Sequence, residues 1–410
     1  MFAGRARAAG KPGSRLPLTI GPAFVAAIAY VDPGNFATNF SAGAGHGFLL
    51  VWVVVAANLA AMPVQFLSAK LGLATDRTLP QLCRDRLPRW ASLGLWGQAE
   101  IVAMATELAE LIGAALALNL LFGVPLLPAG FLGAAISFAV LALTSRGLRP
   151  FDTAIAALLM AIVLGFGYQA IRAGLNPVDV ASGLVPRLAG QQSLLLAVGI
   201  IGATVMPHAV YVHSALTVGR GRGRSAAELL RETRFDVIVA LGIAGVVNLT
   251  MLAVAATVFR NLGSTSDEVS LEEVHAGLGV ALGSGTALAF GLALLASGIS
   301  SSSVGGYAGQ VIMNGFTGWR ISLWLRRLIT MAPALLVLGL GIDPTMALVV
   351  SQVVLSFGIP FALMPLLWLS SSRAVMGDMV NRTATTVIVA LITAVIIALN
   401  ATLLWQQFFG

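Results

Sequence analysis

Two short runs in this chain place cation-binding groups inside otherwise apolar stretches: Asp32-Pro33-Gly34-Asn35 and Met206-Pro207-His208. A carboxylate near the middle of a bilayer costs at least about 2.5 kcal/mol to insert, and a bound cation would offset that cost. Asn35 adds an amide oxygen one turn along. Proline removes a backbone donor and clashes with the preceding turn, and glycine adds conformational freedom, so both stretches should unwind. Unwound carbonyls near Ala29 and Ala203 then become further oxygen ligands, which lipid tolerates only where the backbone is buried in protein or lines a cavity. Oxygen donors alone would suit hard Ca²⁺ or Mg²⁺. The thioether of Met206 shifts preference toward Mn²⁺, Fe²⁺ and their later neighbours. Most of the 12 methionines are gap-fillers; Met206 stands apart because it sits immediately before the break.

A second set of residues has the types that move protons. Glu100, Glu107 and Glu110 lie in one apolar stretch; at about 100° per residue the first two nearly coincide and the third is about 80° away, so all share one helix face. Acids and histidines strung along membrane segments mark proton relays. His208, at the second break, is placed to join one. His213, further along, reads equally well as a hydrogen bonder between helices. Arg326 and Arg327 serve either as anchors at the cytoplasmic face or as the end of a proton pathway.

The elements that position these groups follow from composition. Apolar residues make up 58% of the 410 and charged residues 10%, with a mean hydropathy of +0.90. A soluble domain has about 45–50% and about 25%. The 45 glycines suit close helix packing in lipid, and the single Cys83 excludes an intramolecular disulfide. Eleven stretches are long enough to span a bilayer, at 17–42, 47–73, 92–117, 126–144, 152–171, 193–215, 236–259, 278–303, 323–340, 345–370 and 383–405. The chain is therefore expected to be an all-α integral membrane protein. The longest polar connection falls around 216–235. A net charge of +7 would point to nucleic acid in a soluble protein. Here 21 of the 24 Lys and Arg fall on one side if the N-terminus is cytoplasmic, leaving Arg172, Arg187 and Arg260 outside. The positive-inside rule selects that orientation, with Gly410 outside and the cell membrane as the site. Arg5, Arg7, Lys11 and Arg15 precede a run ending Ala27-Ile28-Ala29, which has the look of a signal peptide. Gly21-Pro22 interrupts that run and apolar character continues through Phe40, against cleavage.

The two breaks are five spans apart. A five-helix unit crosses the membrane an odd number of times, so its second copy is inverted, and broken helices at matching positions of inverted repeats mark a transporter's central site. The expectation is a single transporter domain over 1–410, with repeats at about 17–171 and 193–370 and an extra helix at 383–405.

At these residues the chain resembles the Nramp family of divalent metal transporters, especially bacterial proton-coupled manganese importers. The matching elements are Asp32-Pro33-Gly34-Asn35, the run Gly202 to His208, the helix 3 acids Glu100 to Glu110, and Ser351-Gln352 in helix 10. The likeness covers essentially the whole chain and implies a LeuT-like fold. It also implies a metal site formed by Asp32, Asn35, Met206 and the Ala203 carbonyl, joined in some conformations by the Ala29 carbonyl and Gln352. By the same likeness Asp32, the helix 3 acids, His208 and Arg326 take part in proton movement. Close bacterial relatives carry Asp where Glu107 stands, so the reach of that carboxylate differs here. Magnesium-transporting relatives lack the methionine that this chain retains.

These readings imply metal ions and protons as cargo, no resident cofactor, the bilayer as surroundings, and neither nucleic acid nor an obligatory protein partner. A cation-coupled symporter of organic solutes on the same fold is the alternative, but Asp32 beside Met206 would repel a substrate carboxylate. An intramembrane metalloenzyme is excluded by the lack of H-E-x-x-H or a comparable ligand set. Broken helices and buried acids favour alternating access over a passive channel.

Overall fold

The computed structural model describes residues 21–143, 148–220, 223–262, 269–319 and 321–409. The basic residues Arg5, Arg7, Lys11, Arg15, Arg146, Arg222 and Arg320, and Gly410, lie outside them.

Among the described residues every regular element is helical. The first expected span is split: α1 (Pro22–Ala27) tightens into a 3-10 turn (Ile28–Val31), passes through Asp32, and restarts as α2 (Pro33–His46). There follow α3 (Val51–Thr75), the short α4 (Leu79–Arg86), α5 (Arg89–Phe122), α6 (Leu126–Ala142), α7 (Leu148–Ala173) and the short α8 (Pro177–Ser182). The sixth span is split into α9 (Gly190–Thr204) and α10 (Pro207–Thr217). The remainder is α11 (Ala226–Leu262), α12 (Leu271–Leu282), α13 (Ser284–Thr317), α14 (Leu323–Gly339), α15 (Pro344–Ser370), α16 (Arg373–Met376) and α17 (Thr383–Phe409). Among the described residues, eight segments are long and apolar enough to cross a membrane: α3, α5, α7, α9 with α10, α11, α13, α15 and α17. The other three expected spans are shorter or split. α1 with its turn, and α6, are short apolar helices, and the 17-residue α14 carries Arg326 and Arg327.

Several expected boundaries move, among them the end of the eighth span, from 303 to Thr317. The polar stretch 216–235 is largely helix, because α11 begins at Ala226. Its first turns are rich in Ala, Leu, Glu and Arg, all strong helix formers, and Arg224 Nη2 donates to Glu228 Oε1 (3.2 Å) and Glu232 Oε1 (2.6 Å). The eighth span begins at Ser284 rather than 278. Residues 271–282 form the separate helix α12, started by a reciprocal capping box between Ser270 and Glu273 and ended at Gly283, whose φ of 97° turns the chain into α13.

Both breaks have the same local construction. Pro33 and Pro207 each occupy the first turn of the restarting helix, where a missing N–H costs nothing and the fixed φ favours the helix. The residues before them, Asp32 (φ −82°, ψ 170°) and Met206 (φ −67°, ψ 123°), are extended, as a residue preceding proline prefers. Carbonyls freed at the first break are taken up by neighbours: Asn248 Nδ2 of α11 donates to Tyr30 O (2.7 Å) and Ser297 Oγ of α13 to Val31 O (2.6 Å).

From Pro33 to Ala44, α2 is buried throughout. Missing side chains let its neighbours close on it. Gly113 of α5 admits the Pro33 ring, and Gly34 and Gly202 admit Gln352 of α15, whose carbonyl a methyl on Gly202 would overlap. Toward the far end of α2, Phe36 and Phe40 meet Phe166 and Phe290 edge-on, with centroids 5.2 Å (Phe36–Phe166) and 5.1 Å (Phe40–Phe290) apart.

Candidate functional site

The two breaks are joined by one side chain. Asp32 caps α2, its Oδ1 accepting from Asn35 N (2.8 Å) and from Asn35 Nδ2 (2.7 Å). The same Nδ2 donates to the Ala203 carbonyl at the end of α9 (2.9 Å). An amide nitrogen thus bridges a carboxylate and a carbonyl, as a cation would. Asp32, Asn35, Met206, Ala203 and Gln352 are fully buried and Ala29 nearly so, which closes the site to solvent in this conformation.

The polar atoms left over can all accept, and only the Thr204 hydroxyl can also donate. Asp32 Oδ2, Asn35 Oδ1, Thr204 Oγ1 and Gln352 Oε1 are buried without a hydrogen-bond partner. Buried oxygens are almost always satisfied in folded proteins, and exceptions clustered at one place call for an explanation. Gln352, whose Nε2 donates to Ser351 Oγ (3.1 Å), lies against Gly34 in the middle of the first break. Met206 stands three residues past Ala203 at the start of α10, and Ala29 three residues before Asp32 in the 3-10 turn. Among the described residues no group of three or more His, Cys, Asp and Glu is arranged to hold a metal ion. The donor set here has one carboxylate, and its other members are amides, carbonyls and a thioether.

A ladder of charges leads away from Asp32 along α5. Glu110 is fully buried with both oxygens unpartnered, and its charged neighbours are Glu107, Asp32 and Arg327. Glu107 Oε1 pairs with Arg327 Nε at 3.8 Å, while its Oε2 has no partner. Arg327 Nη2 donates to Ser302 Oγ of α13 (2.5 Å). At the outer rung Arg326 grips Glu100 with both terminal nitrogens (3.2 and 2.9 Å), and Trp96 Nε1 donates to Glu100 Oε1 (3.0 Å). The three acids therefore do share a face, but the arginines, read together from the sequence, divide: Arg326 holds Glu100 and Arg327 stands by Glu107.

His208 sits beside this ladder. Its Nδ1 lies 3.3 Å from Thr106 Oγ1 of α5, and its Nε2 is buried without a partner. His213 is tied elsewhere, through Gln65 Oε1 (2.8 Å), whose Nε2 donates to Tyr30 Oη (2.6 Å). That chain joins α10, α3 and the 3-10 turn, the inter-helix role open to His213 in the sequence. Thr106 and Thr204 carried no signal beyond adjacency to site residues.

The family model described as natural resistance-associated macrophage protein-like (Nramp) matches residues 23–406. The chain belongs to the Nramp family. It is accordingly a membrane transporter and not an enzyme. Curated Nramp-type relatives include the divalent metal cation transporter MntH of Deinococcus radiodurans, 50% identical over 396 residues covering 95% of this chain and 90% of the relative. The MntH of Bacillus subtilis is 48% identical over 393 residues, covering 95% and 92%. A crystal structure of the Eremococcus coleocola manganese transporter superposes with a TM-score of 0.83 at 33% identity, over 95% of this Nramp chain and 87% of that one. Mhp1, a nucleobase-cation-symport-1 family transporter, is similar at a TM-score of 0.60 and 14% identity over 94% and 93%. That second likeness concerns the fold alone, and it agrees with the expected LeuT-like architecture of an Nramp protein.

Proposed function

We propose that this Nramp protein imports divalent transition-metal ions, Mn²⁺ and Fe²⁺ among them, by alternating access, together with protons. The observation that carries this reading is the excess of unpartnered buried acceptors around Asp32 and Asn35. An organic solute would have to supply several donors at once to satisfy them; a divalent cation satisfies the Asp32, Asn35 and Gln352 oxygens by coordination. Rotation of the Asn35 amide would turn Oδ1 toward the Asp32 and Ala203 oxygens and exchange the bridging N–H for a metal ion. The Met206 sulfur then favours transition metals over Ca²⁺ and Mg²⁺. Asp32, Asn35, Met206 and the Ala203 carbonyl are the core ligands, with the Ala29 carbonyl and Gln352 as conformation-dependent ones.

Protons enter through the same carboxylate. Asp32 binds a metal only when deprotonated, so metal arrival releases its proton. Glu110 and Glu107 are the nearby acceptors, His208 a side branch, and Arg326 with Glu100 the outlet. The ladder carries more acids than arginines in a dry setting, which a cation or a proton relieves. The Lys and Arg distribution supports a cytoplasmic N-terminus, an outside C-terminus and the cell membrane as location, and the matched breaks support inverted repeats over 17–171 and 193–370. Purified protein in liposomes, offered Mn²⁺, Fe²⁺, Co²⁺, Cd²⁺, Ca²⁺ and Mg²⁺ with and without an inward proton gradient, tests this. Transition-metal uptake accompanied by internal acidification is expected; absence of Mn²⁺ and Fe²⁺ uptake by folded protein would refute it.

A further inference from the structure

The charge ladder is built on α5 and α14, but the surface it lies against belongs to α13. Gly298, Ser302, Gly305 and Gly309 recur at intervals of four, three and four residues, one stripe of a helix. That stripe runs antiparallel to the stripe of α5 bearing Glu100, Glu107, Glu110 and Ala114: Gly298 faces Ala114, Gly305 faces Glu110, and Gly309 faces the Arg326 that holds Glu100. Gly306, one position off the stripe, faces Arg327. Glu110, Arg327 and Arg326 therefore each lie over a position lacking a side chain.

Gly305 is the position that meets an unpartnered acid. A methyl carbon built there would lie 2.7 Å from Glu110 Oε2 and 3.0 Å from Oε1, closer than packed atoms tolerate. Its backbone is ordinary helix, so glycine is not required by conformation; what an added methyl would displace is the carboxylate. In the interior of a membrane helix, glycine sacrifices helix propensity, and here the return is room for a buried, unpartnered acid.

We propose that Gly305 is a positioning residue for proton movement: by presenting no side chain it seats the Glu110 carboxylate within electrostatic reach of Asp32 and Arg327. The inference rests on the reading of Glu110 as a proton carrier. It assigns Gly305 no contact with the metal. The charged groups facing Glu110 are Asp32 from the first break, Glu107 from its own helix and Arg327 from α14. Gly305→Ala changes none of these charges and shifts only where the carboxylate can sit.

The test uses liposomes containing parent protein, Gly305→Ala, Glu110→Asp, the Gly305→Ala/Glu110→Asp double variant and Glu110→Gln, with Mn²⁺ as the probe and protons counted by an internal pH dye. A misplaced relay group loses efficiency steeply with distance, so Gly305→Ala is expected to lower protons moved per Mn²⁺ by about tenfold. Its KM for Mn²⁺ should stay within about twofold of the parent's, since no metal ligand moved. Shortening the acid makes room for the methyl, so the double variant should return to the ratio of Glu110→Asp alone. A parent-like ratio in Gly305→Ala overturns the proposal, as does a double variant no better than Gly305→Ala. If Gly305→Ala fails to assemble, the double variant must assemble, and its failure counts against the proposal equally. A parent-like ratio in Glu110→Gln instead overturns the proton reading of Glu110 on which the proposal stands.

Discussion

Asn35 reaches from the start of α2 to the Ala203 carbonyl at the end of α9, 168 residues away in sequence and 2.9 Å away in space. This single contact makes the two breaks one site. It also explains why neither break is informative alone: Asp32 supplies the charge, the second break supplies the carbonyl and the sulfur, and the amide of Asn35 holds the place between them.

Removing the charge should remove transport. Asp32→Ala is expected to lower Mn²⁺ uptake by on the order of 100-fold or more, since even outer-shell changes at metal sites cost 10–100-fold. The variant should still insert and fold, because losing the cap on α2 costs about 0.5–2 kcal/mol while alanine lifts the cost of a carboxylate buried without a counter-ion. Substantial Mn²⁺ uptake by the folded variant in liposomes would remove Asp32 from the site.

The sulfur should act as a filter. Met206→Ala leaves oxygen donors and space for water, so Mn²⁺ uptake persists while the Ca²⁺/Mn²⁺ uptake ratio rises by about tenfold. A ratio equal to the parent's would show that selectivity lies elsewhere.

The breaks, eight of the eleven expected spans and the shared face of the three acids were legible because proline, glycine, hydropathy and helical period act locally. Pairings across helices were not. Nothing in the doublet Arg326-Arg327 says which guanidinium meets which acid; that depends on the rotation of α14 against α5. Gln352 came forward only through family resemblance, since its approach to the first break depends on Gly34 and Gly202 closing on α15. The signal for α12 was present in Ser270-x-x-Glu273, but the apolar residues after it merged with the span that follows, and only the turn at Gly283 separates them.

Proton movement should be separable from metal binding at Glu107. Gln has nearly the same size as Glu, so Glu107→Gln keeps the packing and loses the charge beside Arg327. Protons moved per Mn²⁺ should fall several-fold, with KM for Mn²⁺ within about twofold. Simultaneous recording of uptake and internal acidification checks this. An unchanged ratio in both Glu107→Gln and Glu110→Gln would shift the relay to His208.

Backbone approach at the site gives a stability prediction. Gly202→Ala drives a methyl into the Gln352 backbone, an overpacking expected to cost about 1–3 kcal/mol and to lower the thermal midpoint in detergent. Gly242→Ala on α11, where nothing lies within 4 Å of the added carbon, should be neutral or stabilising by up to about 1 kcal/mol. Equal midpoints for the two variants would contradict the close packing of α9 on α15.

The most direct test of the central claim is anomalous diffraction from crystals grown with Mn²⁺. The account requires one strong manganese peak within coordination distance of Asp32, with the Asn35 Oδ1, the Ala203 carbonyl and the Met206 sulfur around it, lost in Asp32→Ala crystals. A protein that transports Mn²⁺ in liposomes yet places its manganese peak away from Asp32 and Met206 would contradict it.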